Sequence, residues 1–167
     1  MAHPTADLLR FTRSEWVRGL RGVSEDDAAR HFGQMNSIGW IVGHLAWQEQ
    51  RYWLTRAQGE TPVPVLNTLV ANGAPASTPS LSEMLEAWRA VTTASDPWLD
   101  GLTTHDLEAN VPGTGPTRCF GDLVHRVTYH YWFHIGEILA IRQILGHERL
   151  PEFVGDIDGK APYRSPG

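Results

Sequence analysis

The chain has 167 residues, of which 41% are hydrophobic and 20% are charged, a balance typical of a soluble globular protein and unlike that of a disordered chain. Its length predicts a single domain over residues 1–167, and its net charge of −5 without a basic run argues against nucleic-acid binding. The single cysteine excludes an internal disulfide, and no apolar run has the length of a signal-peptide core or a membrane span, so we expect a cytoplasmic protein without a membrane partner.

The first 59 residues predict two long helices with a short helix between them. Apolar residues at helical steps indicate an amphipathic helix over 7–20. Ser24 stands before three acidic residues and predicts a short helix that begins there, because a serine cap and negative charge both suit a helix N-terminus. Asn36 or Ser37 would cap the second long helix, which is expected to end near Gly59.

The middle of the chain predicts a long connection, a third helix and a second loop. Residues 60–79 contain four prolines, which favours an irregular crossover of the kind that is often functional. Ser80 has capping-box spacing to the glutamate three residues later and predicts a helix over 81–102. Residues 103–118 read as a loop, and the Thr-Gly-Pro-Thr run within it suits a turn or a short hairpin.

The last long helix is predicted over Cys119–His147, followed by an extended tail over 150–167. Apolar residues of this helix recur in steps of three and four along one face: Leu123, Val127, Ile138, Ile141 and Leu145. The tail is expected to pack on the helices through apolar side chains: Leu150, Phe153 and Val154. Four main helices with a long connection between the second and third predict an all-α four-helix bundle.

His130 and His134 fall inside this apolar stripe, where a helix normally places leucine or valine. Two imidazoles one turn apart can close on one metal ion, and His44 is another histidine within an apolar helical stripe. Three protein ligands would leave a coordination position for water or substrate, as in catalytic metal sites. Alternatively, these histidines are hydrogen-bonded residues of the core.

Glu137 lies three residues after His134 on nearly the same face. It could orient a ligand, act as a general base, serve as a fourth ligand, or form a salt bridge with Arg142 at the rim. Of the other candidates, His125 is expected at the surface and Cys119 as a packed thiol at the helix start.

The runs NSIGWIVGHLAWQEQRYW and HRVTYHYWFHIGEILAIRQILGH resemble the DinB/YfiT-like superfamily of metalloenzymes. The most specific part is the His-x-x-x-His-x-Gly-Glu/Gln core followed by Arg-Gln-x-Leu-Gly. The resemblance implies a four-helix bundle with a divalent metal ion, zinc or nickel, held by His44, His130 and His134. Many relatives have Arg-Gly-Gln after the last histidine, where this chain has Ile-Gly-Glu137.

Proteins of similar sequence include thiol-dependent S-transferases that use bacillithiol or mycothiol, and thiol-dependent maleylpyruvate isomerases. The resemblance therefore implies a transferase that directs a low-molecular-weight thiol at an electrophilic small molecule. Two alternatives stay open. One is a metal-dependent hydrolase, isomerase or cyclase that uses no thiol, with Glu137 or a metal-bound water as its base. The other is a non-catalytic metal-binding stress-response protein, and a homodimer is compatible with all three.

Overall fold

A computed structural model describes residues 2–113, 118–152 and 154–165. Within these ranges the regular secondary structure is helical, which confirms the predicted all-α class. The predicted turn or hairpin at 114–117 and the predicted contact of Phe153 lie outside the described residues. No helix in the described ranges is both long and apolar enough to cross a membrane.

The structure contains eight α-helices in its described part, and the third continues into a π-helix. Their bounds are α1 Pro4–Leu20, α2 Glu25–Ala29, α3 Ile38–Glu49 with the π-helix Gln50–Arg56, α4 Leu66–Leu69, α5 Leu81–Gly101, α6 Thr104–Glu108, α7 Phe120–Ile144 and α8 Ile157–Lys160. The four long helices α1, α3, α5 and α7 are the four that were predicted. Their assembly into one four-helix bundle stays a prediction.

Contacts divide the chain into two compact units. The first unit consists of Met1–Arg21 and Pro97–Gly167, and the second of Gly22–Asp96. The boundary falls within α5, which continues through Pro97. The single domain over residues 1–167 stays a prediction.

In the first unit, α1 packs against α7. Trp16 of α1 is fully buried and meets Tyr131 of α7 edge to face, with ring centroids 5.7 Å apart. Four of the five predicted core residues of α7 are buried as expected: Leu123, Val127, Ile138 and Ile141. Helix α1 begins earlier than predicted because Pro4 suits the first turn and the His3 side chain accepts a hydrogen bond from the Thr5 N–H.

In the second unit, the predicted caps are confirmed. Ser24 and Asp27 form a reciprocal capping box at α2, and the Ser37 side chain caps α3. Two glycines let other segments approach α3 closely. A Cβ at Gly39 would collide with the Pro79 carbonyl, and one at Gly43 would collide with the Met84 sulfur of α5. The obstacle at Gly39 is backbone, so a larger residue there would push α3 away from Pro79, whereas the flexible Met84 side chain at Gly43 can shift.

Three short helices within the described residues were not predicted. Helix α6 lies in the stretch that was predicted to be a loop, where Thr103 and Asp106 form a capping box. Helix α8 lies in the tail that was predicted to be extended, and α4 lies in the crossover. Each has four or five residues, too few to show a helical repeat of apolar positions.

Glu15 fastens the C-terminal tail to α1. Its buried carboxylate accepts a hydrogen bond of 2.8 Å from the Gly155 N–H and pairs with Arg18, whose guanidinium donates to the Glu152 carbonyl at 2.6 Å. Burial acts to raise the pKa of Glu15. Hydrogen bonds from Arg18 and Gly155, with the charges of Arg18 and Lys160, outweigh it and hold the pKa below its ordinary value.

Acid is expected to loosen this attachment. Because the pKa of Glu15 is lower in the folded chain, its stabilisation is complete above the ordinary value of 4.5 and is lost as the pH falls through the folded pKa. Glu15→Gln should lower the free energy of unfolding by about 1–2 kcal/mol at pH 7 and flatten its decline in acid. Denaturant unfolding over a pH series measures both effects. Glu86→Gln, at an exposed position of α5, is the control, and an unchanged acid profile for Glu15→Gln would contradict the prediction.

Candidate metal centre

His130 and His134 lie together on α7, as their spacing predicts. Their Nε2 atoms are 2.9 Å apart, and the ring of His134 is buried while that of His130 is half-buried. Nitrogens that bind one zinc ion tetrahedrally at about 2.0–2.1 Å lie about 3.3 Å from each other, and the observed separation is close to that value. The pair therefore fits the coordination shell of a single ion.

Glu137 sets the proton position on His134. Its Oε2 lies 2.7 Å from Nδ1 of His134, and a carboxylate oxygen can only accept, so Nδ1 carries the proton. In the neutral ring the lone pair is then on Nε2, the nitrogen that faces His130. A carboxylate behind a histidine is the usual way in which proteins orient a metal ligand and raise its basicity.

This contact corrects the suggestion that Glu137 forms a salt bridge with Arg142. The Glu137 carboxylate lies against His134, and Arg142 is a buried side chain rather than a charge at the rim. Its Nη1 donates to the Gly19 carbonyl at 2.6 Å and its Nε donates to Nδ1 of His147 at 3.1 Å. Arg142 thus ties the end of α7 to the end of α1.

His44 belongs to the second unit and is 7% exposed there. Its Nδ1 lies 2.8 Å from the Val70 carbonyl oxygen, which again only accepts, so this ring too has its lone pair on Nε2. The imidazole is stacked on Trp40 and Trp47, with centroid distances of 4.5 and 5.3 Å. Stacking and the hydrogen bond together fix the plane and the tautomer of the ring. Sequence reasoning missed these partners.

The remaining candidates lie where the sequence placed them. His125 is exposed on α7. Cys119 is the half-buried N-cap residue of α7, and its N–H donates to Oδ2 of Asp122 at 3.3 Å. Neither residue takes part in the contacts described above.

The sequence profile of the DinB superfamily matches residues 8–138, which is most of the chain. The chain belongs to the DinB superfamily. Comparison with individual curated proteins gives no match. Membership of the DinB superfamily, together with the three histidines His44, His130 and His134, fits a metal-binding protein.

Proposed function

We propose that this DinB protein binds one divalent metal ion, zinc or nickel, through Nε2 of His44, His130 and His134. The observations that carry the proposal are two hydrogen bonds at Nδ1, one on the ring of His134 and one on the ring of His44. Glu137 holds the proton of His134 on Nδ1, and the Val70 carbonyl holds that of His44 on Nδ1. Both rings thereby offer Nε2 as the donor atom, which is the arrangement that protein metal ligands usually have.

A divalent ion held there would supply a Lewis acid, which lowers the pKa of a thiol or water that it coordinates. The roles of the protein groups follow from their contacts. The Glu137 carboxylate lies at Nδ1 of His134, whereas Nε2 is the nitrogen that would bind the ion. This position favours an orienting role for Glu137 over that of a fourth ligand. Trp40 and Trp47 stack on the ring of His44 and hold its plane.

We propose further that the reaction is transfer of a low-molecular-weight thiol, such as bacillithiol or mycothiol, to an electrophilic small molecule. The support is the sequence resemblance to thiol-dependent transferases and the imidazole donor set, since neutral imidazoles leave a divalent ion with its positive charge. A cationic centre favours the thiolate form of a sulfur nucleophile at neutral pH.

Turnover of an electrophile is expected to need both metal and thiol. Purified protein loaded with zinc or nickel should consume a halogenated or epoxide test electrophile only when a low-molecular-weight thiol is added. Chelation of the metal should return the rate to that of the thiol alone. Turnover without thiol would reject the transferase and favour a hydrolase, isomerase or cyclase. Metal binding without turnover on any substrate tried would favour the non-catalytic protein.

A further inference from the structure

Residues 63–70 of the crossover, here called the strap, follow the helix that carries His44. We propose that the strap positions His44 for metal binding, with Gln50 and Asn67 as its positioning residues. The change in metal affinity that this inference predicts rests on the proposed function. The state of the His44 ring in the metal-free protein can be measured independently of that function.

The strap is held along the helix at three successive points. His44 hydrogen-bonds to the Val70 carbonyl at 2.8 Å, and the indole Nε1 of Trp47 donates to Oδ1 of Asn67 at 3.0 Å. Residue numbers rise along the helix as they fall along the strap, so the two segments run antiparallel.

The third point is a two-bond clamp. The Gln50 side chain donates from Nε2 to the Val63 carbonyl at 3.0 Å and accepts from the Val63 N–H at 2.7 Å. Gln50 is 1% exposed, so breaking the clamp would leave buried polar groups without these bonds. Gln50 is also the first residue of the π-helix Gln50–Arg56. π-Helices are rare in proteins, and those that occur are often at functional sites.

The Val70 carbonyl depends on these outer contacts for its position. Val70 is the C-cap residue of α4, and its own N–H bonds to the Leu66 carbonyl, so the direction of its carbonyl follows the placement of α4. Leu66 is fully buried and anchors α4 from the apolar side. Trp47 both stacks on His44 and bonds to Asn67, which links the ring directly to the middle of the strap.

The test uses the full chain with Asn67→Ala and Gln50→Ala as disrupting variants. Asn67→Asp keeps the acceptor oxygen for Trp47 and should rescue. Thr68→Ala is the matched control, because Thr68 is exposed in the same short helix and its hydroxyl bonds only to Val65 among the contacts described. Circular dichroism and melting curves establish that each variant is folded at the temperature of measurement.

Imidazole ¹⁵N spectra of the metal-free proteins are expected to show the Nδ1–H tautomer of His44 in the unchanged chain, Asn67→Asp and Thr68→Ala. Asn67→Ala and Gln50→Ala should show a mixture with the Nε2–H tautomer. Zinc affinity, measured by chelator competition, should fall roughly tenfold in the same two variants. A loss of this size is usual when a residue that supports a metal ligand is mutated.

An unchanged His44 tautomer in both disrupting variants overturns the proposal, whatever the zinc affinity. A loss of stability alone, with tautomer and zinc affinity kept, also overturns it, because the strap would then be only structural. Failure of the unchanged chain to bind zinc would reject the proposed function instead, and the tautomer spectra would still decide the role of the strap.

Discussion

Metal content is expected to fall from about one ion per chain to background when His134 or His130 is replaced by alanine. Removing the hydrogen-bond partner of a metal ligand typically lowers metal affinity roughly 10–100-fold, and removing the ligand itself should lower it further. Elemental analysis of protein purified with added zinc or nickel measures this content. His44→Ala should have the same effect if the three rings bind one ion.

The matched control is His125→Ala, which removes an exposed histidine from the same helix. It should keep the metal content and activity of the unchanged chain. His130→Ala is the more informative ligand variant for folding, because His130 is half-buried whereas His134 is 4% exposed and its truncation leaves a cavity. Equal metal content in the unchanged chain and folded His130→Ala would refute the site.

Zinc affinity is expected to fall roughly 10–100-fold in Glu137→Ala, which leaves Nδ1 of His134 without its carboxylate. Glu137→Gln keeps an oxygen that can accept from Nδ1–H but loses the charge, so its loss of affinity should be smaller. Chelator competition measures both values. Glu148→Gln, at an exposed position after α7, is the control.

The same two variants separate the roles that were considered for Glu137. An orienting carboxylate predicts that turnover of zinc-saturated Glu137→Gln stays within about tenfold of the unchanged chain. A general base predicts that Glu137→Gln binds zinc almost normally and yet loses turnover by roughly 10²–10⁴-fold. The second result would contradict the role inferred from the contact with His134.

The long helices could be predicted because apolar residues repeat over several turns in each, and a polar residue within such a repeat stands out. His44, His130 and His134 were found in this way, and all three are half-buried or buried. The short helices α4 and α8 could not be found by periodicity. Helix α6 had a usable signal, since Thr103 and Asp106 have the same capping-box spacing as Ser24 and Asp27 at α2.

The partners of the candidate ligands were predictable only in part. Glu137 was a candidate to orient His134 because both lie within one helix turn, where sequence spacing fixes distance. The Val70 carbonyl had no sequence signal, because every residue has a carbonyl and only the path of the crossover brings this one to His44. Arg142 was misjudged for a related reason, since nothing local shows that α1 ends beside it.

The sequence by itself determined the all-α class, the four long helices and the histidines that interrupt their apolar faces, because these depend on repeats within single helices. Only the tertiary structure decided which nitrogen of His44 carries its proton and that Glu137 is paired with His134 rather than with Arg142. The tautomer of His44 depends on the path of the crossover, which no local pattern encodes. For Glu137, spacing already allowed His134 as a partner, and only the burial of Arg142 against the end of α1 removed the alternative.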